Sequence, residues 1–362
     1  ENPASCDQPR IATARDARRT PFHRQLALAG GRFGEAAGFE RPLFYSQGGD
    51  ERADPPLTFG WDRQPWFDHV AAEHMALRTN VGMIDMSPFG KIRVEGRDAF
   101  DVLQKISAND IDVAPGSLVY TQWLNARGGI EADLTVARLS ETEFLVVTSA
   151  AAIIRDLAWL KRHTPEDAHC LAIDVTASEA CVAIAGPRAR EMLEPVVGCD
   201  LSNDAFPFGS VRGGEIGMAP ARLHRVSYVG ELGWEIYVAA DQAHEVFSIL
   251  WPRLSACDGV LAGTLAMDSC RIEKGYRHFG HDIGGDDHVL EAGLGFAVRT
   301  TKKDGRFGPF LGRDAALRKK EAGLTKRMLQ FRLKDPAPLL YRNEPIVRDG
   351  RVVGYLTSGA YR

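Results

Sequence analysis

Alternating polar and apolar side chains from Gly90 through Gly96 predict a half-buried strand, and from Asp98 to Ile106 the apolar positions switch to helical spacing. A strand therefore feeds a helix there. Helical spacing also predicts a helix over Trp66–Thr79, where the regular part of the chain begins, near Trp61. Strands are predicted at Leu118–Leu124, Leu134–Leu139 and Phe144–Thr148. The polar turn Ser140-Glu141-Thr142 joins the last two, which is the pattern of an antiparallel meander. A helix over Ala151–Arg162, a strand over Cys181–Ala185 and a helix entered through Gly186-Pro187 follow, proline suiting a first helical turn. Strands at Leu223–Val229 and Trp234–Val238 precede helices over Gln242–Leu254 and Thr264–Lys274. Beyond about Thr300 a charged helix over Arg313–Glu321 leads into strands near Met328–Leu333, Pro345–Arg348 and Val352–Thr357.

These elements interleave without the regular βαβ repeat of a doubly wound sheet, so the expected fold class is α+β, with mixed antiparallel sheets and helices. Residues 1–60, broken by Gly30-Gly31, Gly48-Gly49 and Pro55-Pro56, read as a wrapping or linker segment. Residues 61–300 read as the core. Residues 301–362 read as a small β domain that stops just after a strand and looks incomplete.

Composition narrows the function. With 44% hydrophobic and 25% charged residues the chain is an ordinary globular protein, and its net charge of −4 argues against a nucleic-acid partner. The basic runs Arg15–Arg19 and Arg318-Lys319-Lys320 are interrupted or lack aromatics for base stacking, and read as solvated surface. Six cysteines, among them Cys6, are scattered without a Cys-x-x-Cys pair, which suits a reducing cytoplasm. No run of eighteen apolar residues marks a membrane span, and no export signal is written at the N-terminus. A mitochondrial presequence is removed from mature chains, so the matrix stays open as a location.

Neither a Gly-x-Gly-x-x-Gly turn nor a Walker-type loop is present, so binding of FAD, NAD or ATP through those loops is not expected. His278, His281, Asp282, Asp286, Asp287 and His288 cluster, but their spacing matches no closed metal site. A structural or substrate-channel loop is the preferred reading. Asp110, in Ser107-Ala108-Asn109-Asp110-Ile111, reads by itself as a polar stop after a helix. Ser227 to Glu235 reads as two strand halves around a Gly-Glu-Leu-Gly turn, with Tyr228 at one end and Glu235 at the other. Glu235 lies between Trp234 and Ile236, where an unpaired carboxylate is costly to bury, and a ligand with paired N–H donors removes that cost.

The ordered series of these stretches resembles the family of the glycine-cleavage T-protein (aminomethyltransferase). More closely it resembles the folate-binding C-terminal half of sarcosine dehydrogenase, dimethylglycine dehydrogenase and dimethylglycine oxidase. The matching stretches are Phe33-Gly34-Glu35 with Gly38 to Pro42, Asp85 to Lys91, Ala108-Asn109-Asp110, Tyr120-Thr121-Gln122 with Leu124 to Asp133, Tyr228 to Glu235, and Asp268 to Arg277. Thr13-Ala14-Arg15 and Arg19-Thr20-Pro21 resemble the junction after the FAD domain of the demethylating dehydrogenases.

The resemblance implies a T-protein-like fold. It also implies one-carbon transfer to tetrahydrofolate, giving 5,10-methylenetetrahydrofolate from the iminium of an oxidised N-methyl amine. FAD is expected only in an N-terminal domain or partner subunit beyond this portion. By the same resemblance Asp110 orients the reactive folate nitrogens and takes a proton, Glu235 accepts two hydrogen bonds from the pterin edge, Tyr228 adds a hydroxyl and a ring wall, and Asn125 lies close by. Met267 stands where T-proteins carry a folate-contacting arginine, and Arg271 reads as a structural partner of Asp268 at helical spacing. Two alternatives stand beside this reading: a free-standing aminomethyltransferase acting on a lipoyl carrier, and a non-catalytic folate-binding scaffold. The scaffold branch carries Lys-Gly-Cys-Tyr where this chain has Lys274-Gly275-Tyr276.

Overall fold

In the computed structural model, which describes residues 15–46, 60, 63–302 and 310–361, the chain opens with β1 (Arg18–Arg19), α1 (His23–Leu28), β2 (Gly31–Ala36) and β3 (Phe39–Tyr45). Then come α2 (Phe67–Thr79), β4 (Gly82–Asp85), β5 (Gly90–Glu95), α3 (Ala99–Ile106), β6 (Ser117–Leu124), β7 (Ile130–Arg138), β8 (Glu143–Thr148), α4 (Ile153–His163) and β9 (Leu171–Asp174). The next run is β10 (Glu179–Ala185), α5 (Ala189–Leu193), β11 (Val211–Ile216), β12 (Ala219–His224), β13 (Gly233–Ala239), α6 (Ala243–Ala256), β14 (Val260–Leu261) and α7 (Thr264–Glu273). Last are α8 (Arg313–Ala322), β15 (Pro345–Arg348) and β16 (Arg351–Tyr355).

Two sheets build the body, a five-stranded one in the order β6-β7-β8-β5-β9 and a six-stranded one in the order β11-β12-β13-β10-β4-β14. All their pairings are antiparallel except β14 with β4. Strand alternation sends side chains to opposite faces, and both faces of both sheets are covered. Helices α3 and α4 bury Val102, Leu103 and Leu160 against Ile92, Trp123, Val136 and Val146 on the outer face of the first sheet. Helices α5 and α6 do the same on the second, with Met192, Val246 and Leu250 against Val182, Ile184, Trp234 and Ile236. The inner faces share a third cluster: Ala137 and Leu145 from one sheet, Cys181 and Tyr237 from the other, and Val70, Leu77, Met267 and Cys270 from α2 and α7. This α+β arrangement matches the expected class.

Each sheet contains the same strand-to-helix device. Gly96, after β5, and Gly186, after β10, have φ of +134° and +132°, and an added Cβ would lie 2.0 Å from the His169 carbonyl oxygen and 2.3 Å from that of Asn80. Only glycine combines that dihedral with that approach, so both turns are fixed before their helices begin. Pro187 therefore sits in the turn, two residues ahead of α5, rather than inside the helix.

Three sequence expectations need correcting. The N-terminal segment is not merely wrapping: β1, β3 and β2 form a three-stranded sheet, and Phe22, Leu26 and Tyr45 enter the core beside Trp234 and Phe247. Gly30 and Gly31 stand at the start of β2, which is why they read as a break. Thr13, Ala14, Gly48-Gly49, Pro55-Pro56, Trp61 and Cys6 lie outside the described residues. The expected strand Leu223–Val229 ends at His224, where the Arg225 N–H turns to the Ser210 carbonyl and Tyr228 is drawn toward Arg277. Met328–Leu333 forms no strand: the Met328 N–H bonds the Glu291 carbonyl and the Gln330 amide bonds the Glu273 carbonyl, so the segment is held by α7 and its sequel instead of a ladder.

Glu73 on α2 joins the N-terminal sheet to α7. Its two oxygens accept the Tyr45 N–H at 2.6 Å and the Gly263 N–H at 2.8 Å, while burial lifts its pKa to about 8. In Glu73→Gln one backbone N–H faces an amide NH2 in a buried site, so the variant is expected to lose about 1–3 kcal/mol. Urea denaturation should show a lower midpoint with an unchanged slope.

Candidate active site between the two sheets

Along β6 and β7 the residues Leu118, Tyr120 and Gln122 pair with Ala137, Thr135 and Asp133. Their intervening neighbours Val119, Trp123, Ala132, Leu134 and Val136 belong to the outer core. Tyr120, Gln122 and Asp133 therefore look into the space between the sheets. On β13, Trp234, Ile236 and Val238 pack outward, which turns Glu235 and Tyr237 inward from the opposite sheet. An otherwise apolar interior thus receives two carboxylates.

Among the described residues neither carboxylate forms a salt bridge, and Arg277 and His278 act on Asp133 only from a distance. Burial raises the Glu235 pKa, and the Tyr237 hydroxyl donates to its Oε2 at 2.6 Å. The fully buried Lys91 favours its charge from a distance, but the Lys91 ammonium donates to the Ser87 and Phe89 carbonyls, at 2.9 and 3.0 Å. Burial likewise pushes Asp133 up to about 6, against the pull of Gln122 and Tyr120. The Gln122 Nε2 donates to Asp133 at 2.8 Å, which commits the amide orientation and leaves the buried Gln122 Oε1 without a donor among the described residues. Glu235 and the Gln122 Oε1 thus both offer acceptors to this space.

The structure brings Tyr228 to this place by a different route from the one expected. It stands in the loop between β12 and β13, where its hydroxyl donates to the Arg277 carbonyl at 2.8 Å and its ring stacks on Tyr276. Asp133 is among the charges acting on its hydroxyl, so Tyr228 borders the same space. Asp110 follows α3 and is pinned to β6 through its neighbour: the Asn109 side chain donates to the Tyr120 carbonyl, and the Asn109 N–H donates to Thr121 Oγ1, each at 2.9 Å. Asp110 Oδ1 accepts the Gln104 Nε2 at 2.6 Å and the Asp112 N–H at 3.1 Å.

Asn125 serves the turn after β6. Its Oδ1 accepts the Arg127 and Gly129 N–H groups, and its Nδ2 donates to Glu131 and to the Gly285 carbonyl. Met267 is buried among Ala266, Cys270 and Tyr237. Arg271 reaches Asp268 at 3.0 Å, as its spacing implied, and also Asp282 at 2.5 Å. Asp282, one of the clustered carboxylates, further accepts Thr357, Ser358 and the His278 N–H, which gives it a structural role.

A cleft of about 630 Å³ lies elsewhere, lined by Lys105, Arg162, Arg313 and Arg318. Lys105 and Arg162 occupy the last turns of α3 and α4, where cations oppose the helix dipole, and that accounts for their presence. Sequence reasoning overlooked Asp133 as a site residue. Its signal was the one used for Glu235, a carboxylate between apolar neighbours, here Ala132 and Leu134. Among the described residues no helix is long and apolar enough to cross a membrane.

Comparison with known proteins agrees with this architecture. The family described as the GCVT N-terminal domain matches residues 22–302. The chain is 41% identical over 351 residues to a formaldehyde-forming 4-methylaminobutanoate oxidase of Paenarthrobacter nicotinovorans, covering 97% of this chain and 42% of that protein. It is 34% identical to mitochondrial dimethylglycine dehydrogenase of Mus musculus, covering 90% of this chain and 37% of the enzyme. The chain thus spans about two fifths of the length of these relatives. Among solved structures, the glycine cleavage system aminomethyltransferase T of Bartonella henselae superposes with a TM-score of 0.68 at 29% identity, covering 84% of this chain and 75% of that one. The chain belongs to the GCVT family, the aminomethyltransferase-type module that glycine-cleavage T-proteins share with N-methyl amine dehydrogenases and oxidases.

Proposed function

We propose that the space between the sheets binds tetrahydrofolate and that this module transfers to it the carbon of an oxidised N-methyl amine, of the sarcosine or dimethylglycine type, forming 5,10-methylenetetrahydrofolate. The observation that carries this reading is the half-buried Glu235 carboxylate, whose pKa burial raises and which accepts a bond from a tyrosine hydroxyl. A pterin edge presents the paired N–H donors that such acceptors lack, and charge-assisted bonds of this kind are strong and orienting. Tyr228 forms one wall of the pocket and Asp133 with Gln122 another.

Bound folate supplies two nucleophilic nitrogens. The transferred carbon exchanges its bond to the amine for one bond to each of them, and the two protons they lose end on the departing amine. Asp110 takes the proton from the attacking nitrogen and faces the cationic carbon with its negative charge, so it acts as a general base and as an electrostatic stabiliser. The flavin chemistry that generates the iminium belongs to an FAD domain or subunit. A reducing compartment, cytoplasm or mitochondrial matrix, is the setting we assign, in keeping with the free thiols of Cys170, Cys181, Cys199, Cys257 and Cys270.

Titration with 5-formyltetrahydrofolate, a stable reduced folate, tests the pocket. Each hydrogen bond to a buried charge contributes about 1.5–3 kcal/mol, so Glu235→Ala is expected to weaken binding by about 10- to 100-fold or more. Undiminished binding in that variant would overturn the assignment. A donor assay separates the free-standing aminomethyltransferase reading, since only that enzyme releases ammonia from an aminomethyl-loaded lipoyl carrier.

A further inference from the structure

The side chain that holds Asp110 is itself held in only one orientation. Gln104 lies in the last turns of α3 and is almost fully buried. Its Oε1 accepts the Ile111 N–H at 3.0 Å and the Lys302 Nζ at 3.2 Å. Both of those groups are donors only, for an ammonium has no lone pair to offer. The amide therefore cannot be reversed, and its NH2 must face Asp110, to which it donates at 2.6 Å.

Lys302 in turn has a fixed seat. It donates to the Ser107 carbonyl at 2.9 Å and to the Gln104 carbonyl, so its three hydrogens meet three acceptors at the C-terminal end of α3. A cation there is favoured by the helix dipole. Burial pushes Lys302 down to about 8, while the Asp110 carboxylate pulls it the other way, so the two charges sense each other. Lys302 comes from a segment nearly 200 positions beyond Gln104 in the chain. Nothing in the local helix pattern requires it.

We infer that Lys302 and Gln104 form a positioning relay for the proposed base: Lys302 locks the Gln104 amide, and the amide locks the Asp110 carboxylate against the folate nitrogens. The inference rests on the Asp110 reading given above. With Oδ1 bonded to the Gln104 amide and to the Asp112 N–H, the plane of the carboxylate is set before substrate arrives, and the reaction need not spend binding energy to orient it. The competing charge on this loop, Asp112, is paired with Arg138 at 3.2 Å. Lys302 and Gln104 act through Asp110 and need not touch substrate.

The test follows 5,10-methylenetetrahydrofolate formation from tetrahydrofolate and formaldehyde, with the uncatalysed rate subtracted. Lys302→Met is expected to lower kcat by about 10- to 100-fold, the scale of a displaced catalytic group, while KM for folate stays within about twofold. Lys302→Arg, which keeps the charge and the donors, should recover most of the rate. In an Asp110→Asn background Lys302→Met should cost nothing further, because the relay has no base left to position. Loss of rate by the same factor in that background, or a wild-type kcat in Lys302→Met, overturns the relay. Full activity of Asp110→Asn alone overturns the Asp110 reading instead. If Lys302→Met does not fold, Gln104→Glu decides: it keeps both acceptor contacts and removes the donor, so kcat should fall at neutral pH and an unchanged kcat would reject the relay.

Discussion

Arg271→Met is expected to destabilise the protein by about 3–5 kcal/mol, the cost of leaving buried charge without its partner. Arg271 is buried, and its guanidinium reaches Asp268 at 3.0 Å, Asp282 at 2.5 Å and the Ser358 hydroxyl at 3.0 Å. Burial alone would raise the pKa of Asp282. Arg271 and the Thr357 and Ser358 hydroxyls outweigh it and hold the carboxyl below its ordinary value. A carboxylate lowered in the native state adds stability above the unfolded value near 4, and that stability is lost as pH falls through the lower native value.

Removing the cation reverses the sign. At Asp282, where Arg271 is the main lowering influence, burial then dominates and the native carboxyl is expected above its unfolded value, so the variant's deficit relative to wild type should shrink as pH falls from 7 toward about 4. The readout is the difference between the two proteins, because the other carboxyls that burial raises, Glu73 and Asp133 among them, act on both alike. Urea midpoints of both proteins between pH 4 and 7 read this out, and a variant that loses stability in parallel with wild type would mean that packing, not charge, explains the loss. The consequence reaches beyond α7, because Asp282 bonds Thr357 and Ser358 and so fastens the segment after β16 to the body.

The elements that could be read from the chain are those whose periodicity burial enforces. Gly90 to Gly96 and Asp98 to Ile106 appear almost unchanged as β5 and α3, since alternate residues of one and a single stripe of the other enter the same core. Tyr228 was misplaced because its spacing continues the alternation of β12. Its position is decided by distant groups, the Arg277 carbonyl and the Arg78 side chain that bonds the Val229 carbonyl, and no local pattern encodes them. The chemistry divides in the same way. Glu235 announced itself as a carboxylate among apolar neighbours, and Asp133 carried the same signal. The Gln104–Lys302 contact was invisible, since it joins a helix to a segment far along the chain. Family motifs drew attention to Asp110, whereas the structure supplies the reason its carboxylate has a defined direction.

Asp110→Asn is the substitution with the largest expected effect on chemistry. The side chains have the same shape, and Asn can still accept the Gln104 and Asp112 donors through its carbonyl oxygen, so the loop should stay in place. What it loses is a negative charge and a site for a proton. General-base catalysis typically contributes 10²–10⁴-fold, so kcat for methylene transfer should fall by about that factor, with 5-formyltetrahydrofolate binding within about threefold of wild type. An interaction made only in the transition state lowers kcat and kcat/KM together. That separates this variant from Glu235→Ala, which acts on the bound folate in every state and should raise KM before it lowers kcat. The acid limb of the pH profile should also disappear in Asp110→Asn, since no carboxyl remains there to be protonated. If the variant instead keeps its acid limb and most of its rate, the base is another carboxylate, and Asp133, half-buried on the inner face of β7 with a pKa lifted to about 6, becomes the group to replace.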